Sequence, residues 1–174
     1  MRRLNKVLLL SGLLAASVSA GAADTVVGGF TVAAKFGQTC ALTATNMVFG
    51  TAIPSPVTID VPATSVLTAT CSGGQSYEFL LGLGSGVGTA CAMRKMTYQV
   101  GAPLLNYNLY LEAAHTTIWS NEKTGSCGSI PAAVVGNGAA QTVTVYGNIP
   151  GTPSQSPLSG VSYNDSIIVT MNLL

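Results

Sequence analysis

Alternation with a period of two recurs along this chain, and no helical spacing competes with it, which confines the sequence to a β architecture. Leu67, Ala69 and Cys71 share one parity within Ser65 to Cys71, and Tyr77, Phe79 and Leu81 do the same. Tyr107, Leu109 and Leu111 alternate with Asn106, Asn108 and Tyr110, and Val143 and Val145 alternate with Thr142, Thr144 and Tyr146. Successive side chains of a strand point to opposite faces, so each stretch predicts a half-buried strand. Thr, Val, Gly and Ser are abundant and no amphipathic helical stretch intervenes, so the expected class is all-β and the expected architecture a sandwich. The consecutive β-branched residues of Ile167 to Val169 predict a last strand buried on both faces, with neighbours on both edges.

The chain opens with Arg2, Arg3 and Lys6, then an apolar run from Val7 to about Val18, then Ala20-Gly21-Ala22. This pattern predicts a cleaved secretory signal over residues 1–22. The run is shorter than the roughly 20 apolar residues of a spanning helix, so the exported chain is expected to be soluble. Behind it lies Thr25 to Phe36, a segment of its own over residues 23–37. Phe30, Val32, Ala34 and Phe36 occupy one parity and Thr31, Ala33 and Lys35 the other, which predicts a strand with one apolar face. No Asn-Gly or Asp-Gly turn occurs between Gly37 and Cys40, so nothing local specifies the partner of that strand. Residues 38–174 are long enough for one domain with a core of its own.

Charged residues make up 7% of the sequence, against about 25% in ordinary globular proteins. Beyond residue 22 the basic residues are Lys35, Arg94, Lys95 and Lys123, facing six carboxylates. Without a basic stripe to neutralise phosphates, nucleic-acid binding has no support. Gly82 to Gly88 fits neither the Gly-x-Gly-x-x-Gly nor the Walker spacing and reads as a flexible connection. His115 is the lone histidine, the acidic residues are scattered, and no Gly-x-Ser-x-Gly elbow is present. A triad of a serine with His115 and Asp165 requires the fold to bring them together. No cofactor, metal or small-molecule substrate is expected. Trp119 is expected in the core, within a long irregular segment from Ala113 to Gly138. Cys40, Cys71, Cys91 and Cys127 make an even count for an oxidising compartment; they permit three pairings, of which Cys40 with Cys71 and Cys91 with Cys127 is the expected one.

An ordered set of landmarks spans most of the chain beyond the signal. Cys40 is followed by Phe49-Gly50, then Cys71 after a Thr-rich strand, then Arg94 with Met96. Leu105-Asn106-Tyr107-Asn108-Leu109-Tyr110 and Trp119 come next, then Val145-Tyr146-Gly147-x-Ile149-Pro150, and last Gly160-x-x-Tyr163-x-Asp165-x-Ile167-x-Val169-Thr170. In this order the set resembles the spore coat protein U domain family, which includes the subunits of Csu-type, or archaic, chaperone-usher pili.

The resemblance implies an incomplete immunoglobulin-like sandwich that lacks its final strand, completed by a donated N-terminal strand of a neighbouring subunit. It implies a non-catalytic pilin exported through the periplasm to a cell-surface pilus for attachment and biofilm formation. Its partners would be other pilin copies, a periplasmic chaperone and an outer-membrane usher. A tip adhesin and a spore or outer coat protein are the alternatives. On this reading Phe30, Val32, Ala34 and Phe36 form the donor face, and Ile167, Val169 and Met171 border the acceptor groove. Tyr163 and Asp165 would fix the turn before the last strand. Burying Phe30, Val32 and Phe36 at roughly 1.5 to 3 kcal/mol each gives about 5 to 9 kcal/mol gross. A whole domain is stable by only about 5 to 15 kcal/mol, so one strand could decide whether it holds together.

Overall fold

The strands of the domain follow the alternation closely. The computed structural model describes residues 31–34, 37–121 and 128–174. They fall into two units, residues 1–35 and residues 36–174. Within the first, Thr31 to Ala34 are exposed and belong to no strand, Val32 being 83% accessible. The four described residues of the strand expected there make no ladder. Phe30 and Phe36, like the expected signal segment, lie outside the described residues.

The second unit contains eight strands among the described residues: β1 (Cys40–Ala44), β2 (Val61–Cys71), β3 (Ser76–Leu81), β4 (Arg94–Met96), β5 (Leu105–Tyr110), β6 (Val134–Val135), β7 (Ala140–Ile149) and β8 (Val169–Leu173). They form one sheet in the order β1-β2-β7-β5-β4 and another in the order β6-β3-β8, with every ladder antiparallel. Leu67, Ala69 and Cys71 of β2 are buried together, as are Tyr77, Phe79 and Leu81 of β3 and Tyr107 and Leu109 of β5. Pro62 lies where β2 has run past the end of β1 and has only β7 beside it, so its missing N–H interrupts no second ladder. Cys40 and Cys71 face each other across the β1–β2 ladder and are joined by a disulfide, with Cα atoms 4.1 Å apart.

Trp119 is fully buried and links the two sheets. Its indole N–H donates to the Phe79 carbonyl of β3 at 3.1 Å, and its backbone N–H donates to the Leu109 carbonyl of β5 at 2.8 Å. The segment around it is less irregular than expected, since it bridges Tyr110 to Ile118 and Trp119 to Ser129 and then contributes β6.

Two expectations are corrected. The last strand is not buried on both faces: Ile168 is 75% exposed, while Ile167 and Val169 are half-buried. The β-branched run has one face on the core and one on solvent, because among the described residues β8 is an edge strand whose only ladder partner is β3. The Gly82 to Gly88 loop is also not a loose connection. The Ser85 backbone N–H and hydroxyl both donate to Asp165 Oδ1, at 2.6 and 2.8 Å, and a Cβ on Gly86 would collide with the Lys95 carbonyl.

Candidate functional site

Between the two sheets, reaching β8 at its first residue, Val169, lies a groove of about 960 Å³. Its floor is core: Leu67 of β2, Leu81 of β3, Leu109 of β5, and Val145 and Ile149 of β7. One rim is the segment from Ala44 to Ile53, where Met47, Phe49 and Ile53 are only half-buried against the core. The other rim runs from Pro157 to Val169. The groove opens to solvent, and polar side chains such as Thr45, Asn46, Ser162 and Asn164 share its lining with the apolar floor.

Gly147 of β7 sets the level of the first rim. A Cβ there would collide with Met47 Sδ and meet the Phe49 ring at 2.9 Å, so the glycine lets these two side chains lie close on the floor. Phe49 in turn packs edge-on against Tyr107, with ring centroids 5.9 Å apart.

The second rim alternates without interruption. From Val161 to Met171 the odd-numbered residues are half-buried and the even-numbered ones exposed. Val161, Tyr163, Asp165, Ile167 and Val169 all line the groove, and among its described lining residues Asp165 alone bears a charged group. Its Oδ2 accepts from the Tyr107 hydroxyl at 2.6 Å, and its Oδ1 accepts from Ser85 and from the Ser166 backbone N–H. Burial, and then this hydrogen bond, push the Tyr107 phenol well above the ordinary tyrosine range.

Beyond this end of the groove, Arg94 of β4 is fully buried. It donates to the carbonyls of Leu81, Gly82 and Trp119 at 3.1, 3.0 and 2.9 Å, and to Asn108 Oδ1 at 2.6 Å. Asn108 is buried too, and its amide donates to the carbonyls of Cys91 and Ala92. Burial pulls the guanidinium pKa down, while Tyr107 and Asp165 oppose that shift. The edge of one sheet is thereby tied to the end of β3 in the other.

Ile167 and Val169, expected at the groove edge, line it. Met171 is on the same face but past the end of the groove, its sulfur 4.0 Å from Cys71 Sγ. Val32 and Ala34 are exposed. Cys91 is disulfide-bonded, and its expected partner Cys127 lies outside the described residues. The catalytic alternative gains no geometry: Asp165 is engaged by Ser85, Ser166 and Tyr107, whereas the His115 ring lies against Tyr110 at 5.1 Å. Sequence reading did not single out Arg94 and Asn108 as a buried pair. Neither residue stood out in sequence, because β4 carries Lys95 beside Arg94 and β5 carries Asn106 beside Asn108.

A comparison with curated proteins finds no match. Among solved structures, the chain is similar to one in the crystal structure of the CsuC–CsuE chaperone–tip adhesion subunit pre-assembly complex from the archaic chaperone-usher Csu pili of Acinetobacter baumannii. The identity is 18% and the TM-score 0.50, over 77% of this chain and 39% of that one, so the present chain spans about two-fifths of the other's length. That likeness is one of fold, which in this chain is two antiparallel sheets and no helix among the described residues. The model of the Spore Coat Protein U domain matches residues 26–170, which takes in both rims and the floor of the groove, and the chain therefore belongs to the spore coat protein U domain family.

Proposed function

We propose that this protein is a non-catalytic structural subunit of an archaic chaperone-usher pilus, whose groove accepts the Thr25 to Phe36 segment of another subunit. The observation that carries this reading is the 960 Å³ groove beside an edge strand, open where one more strand would complete both the ladder and the core. Adding an extended segment to an exposed sheet edge is a general mode of recognition, of which chaperone–pilin strand donation is a known example. The segment has the required chemistry, with four apolar residues of one parity and none of its own ladder partners nearby in sequence.

Before assembly the groove would be occupied by a periplasmic chaperone, and exchange for the next subunit's segment would take place at an outer-membrane usher. The resulting fibre would stand on the cell surface and serve attachment and biofilm formation. The disulfide of Cys40 and Cys71 suits an oxidising route of export.

The test is thermal melting of the exported domain from Gly37 onward, with and without a synthetic Thr25 to Phe36 peptide. A large, saturable rise in midpoint supports an empty groove filled by this segment. A domain that is already stable and indifferent to the peptide is a finished sandwich and removes the pilin reading.

A further inference from the structure

The alternation of the second rim and that of the Thr25 to Phe36 segment together define how the two fit, an inference that rests on the function proposed above. We propose that the segment of another copy enters antiparallel to residues 161–171 in one register only, with its Ala34 opposite Asp165, so that this pair sets the alignment of successive subunits.

The face of the incoming strand that turns to the floor reads Gly28, Phe30, Val32, Ala34, Phe36. Taken in reverse, the rim residues turned to the floor read Met171, Val169, Ile167, Asp165, Tyr163. Directly opposed residues of an antiparallel pair share a face, so the two rows can be laid against each other one for one. In the proposed register Phe30 meets Val169, Val32 meets Ile167 and Phe36 meets Tyr163. The smallest of the four apolar side chains falls on the only charged lining residue. The residue without a side chain falls at Met171, where the groove has closed and the methionine sulfur already touches Cys71.

Other alignments lose these matches. A slip of one residue turns the apolar face to solvent. A slip of two in either direction lays Phe36 or Val32 over the Asp165 carboxylate. There a bulky apolar side chain would rest on a carboxylate already held by Ser85, Ser166 and Tyr107, a polar surface that offers it less apolar contact than Ile167 or Tyr163 does. A parallel strand with Ala34 on Asp165 would carry Gly28 past Val161, away from the closed end. Every ladder of the domain is antiparallel, so an antiparallel strand also continues the existing sheet.

The register is read by crosslinking the full exported chain in its polymerised form. Opposed Cα atoms in an antiparallel pair are about 4.5 to 5.5 Å apart, within disulfide reach, whereas diagonal neighbours at about 7 to 8 Å are not. Three double variants are compared under mild oxidation: Val32→Cys with Ile167→Cys for the proposed register, Ala34→Cys with Ile167→Cys for a two-residue slip, and Val32→Cys with Tyr163→Cys for a parallel strand. A covalent ladder on a non-reducing gel in the first alone is the expected result. Polymer that ladders in either of the other two, or in none, overturns the register and leaves the proposed function standing. Absence of polymer from the wild-type chain overturns both. As a check that needs no new cysteine, Ala34→Phe is expected to slow polymerisation by about tenfold, the effect of an overpacked side chain of roughly 1.4 kcal/mol. An unchanged rate would contradict the proposed opposition of Ala34 and Asp165.

Discussion

Tyr107, rising from the groove floor on β5, donates its phenolic hydrogen to Asp165 on the rim at 2.6 Å, and this one bond joins the two surfaces between which an added strand would lie. The Phe49 ring packs on the same tyrosine from the opposite rim. Tyr107 therefore touches both rims of the groove.

A consequence is an alkaline limit to stability. The phenol of Tyr107 is held protonated in the folded chain, above its unfolded value near 10, by burial and by the hydrogen bond to Asp165. Its contribution is complete below that unfolded pKa and is lost as pH rises towards the folded one. Once the unfolded chain has released this proton and the folded chain has not, stability should fall by about 1.4 kcal/mol per pH unit. Denaturant unfolding above pH 10 should show at least this slope, since burial also raises Tyr77 and Tyr110, and Tyr107→Phe should lessen it by about 1.4 kcal/mol per pH unit. An identical slope in the variant would assign the alkaline limit to other tyrosines.

Arg94 should be intolerant of replacement. Arg94→Met takes a donor from three carbonyls and from Asn108 Oδ1, which keeps only the Leu109 N–H, and a loss of about 3 to 5 kcal/mol is expected, as for other broken buried charge networks. Arg94→Lys keeps the charge but cannot reach four acceptors with one ammonium, so it should fall between wild type and Arg94→Met in urea unfolding. Equal stability of all three proteins would refute the clasp.

The disulfide closes a loop of 31 residues, and on the chain-entropy account it stabilises the domain by about 3 to 4 kcal/mol. Cys40→Ala with Cys71→Ala should lower the urea midpoint accordingly. Because Cys71 is buried beside Met171, part of any excess over that figure would reflect a small cavity, which Cys71→Val with Cys40→Ala should reduce.

Gly86 offers a test of the loop that holds Asp165. Its Cβ would meet backbone, the Lys95 carbonyl, so Gly86→Ala must shift β4 or the loop at a cost of about 1 to 3 kcal/mol. Calorimetry of this variant against Gly73→Ala, where the added Cβ meets nothing within 4 Å, separates the clash from the general effect of losing a glycine.

The period-two pattern foretold β2, β3, β5 and β7 and the burial of Leu67, Phe79, Leu109 and Val145, because a strand's faces are written directly in its parity. Trp119 in the core was legible for the same reason of size and apolarity. Parity says nothing, however, about where a sheet ends. Ile167 to Val169 looked buried on both faces because β-branched residues suit a strand in either setting, and only the strand order reveals an edge. The polar end of the groove was illegible for a different reason: Arg94, Asn108, Ser85 and Asp165 come from four segments, and their meeting is a product of topology. A glycine-rich stretch likewise gives no hint that a distant carboxylate will pin it.

The four acceptors of Arg94 belong to the end of β3, to the Trp119 segment and to β5, so they meet around one guanidinium in a single relative placement of the two sheets. Sliding one sheet along the other by a single residue, about 3.4 Å, would strip the cation of its ligands across the interface at once. The buried charge thus works as a dowel. A load applied along the strands meets resistance concentrated at this point, next to the groove whose floor includes Leu81, one of the residues the cation holds.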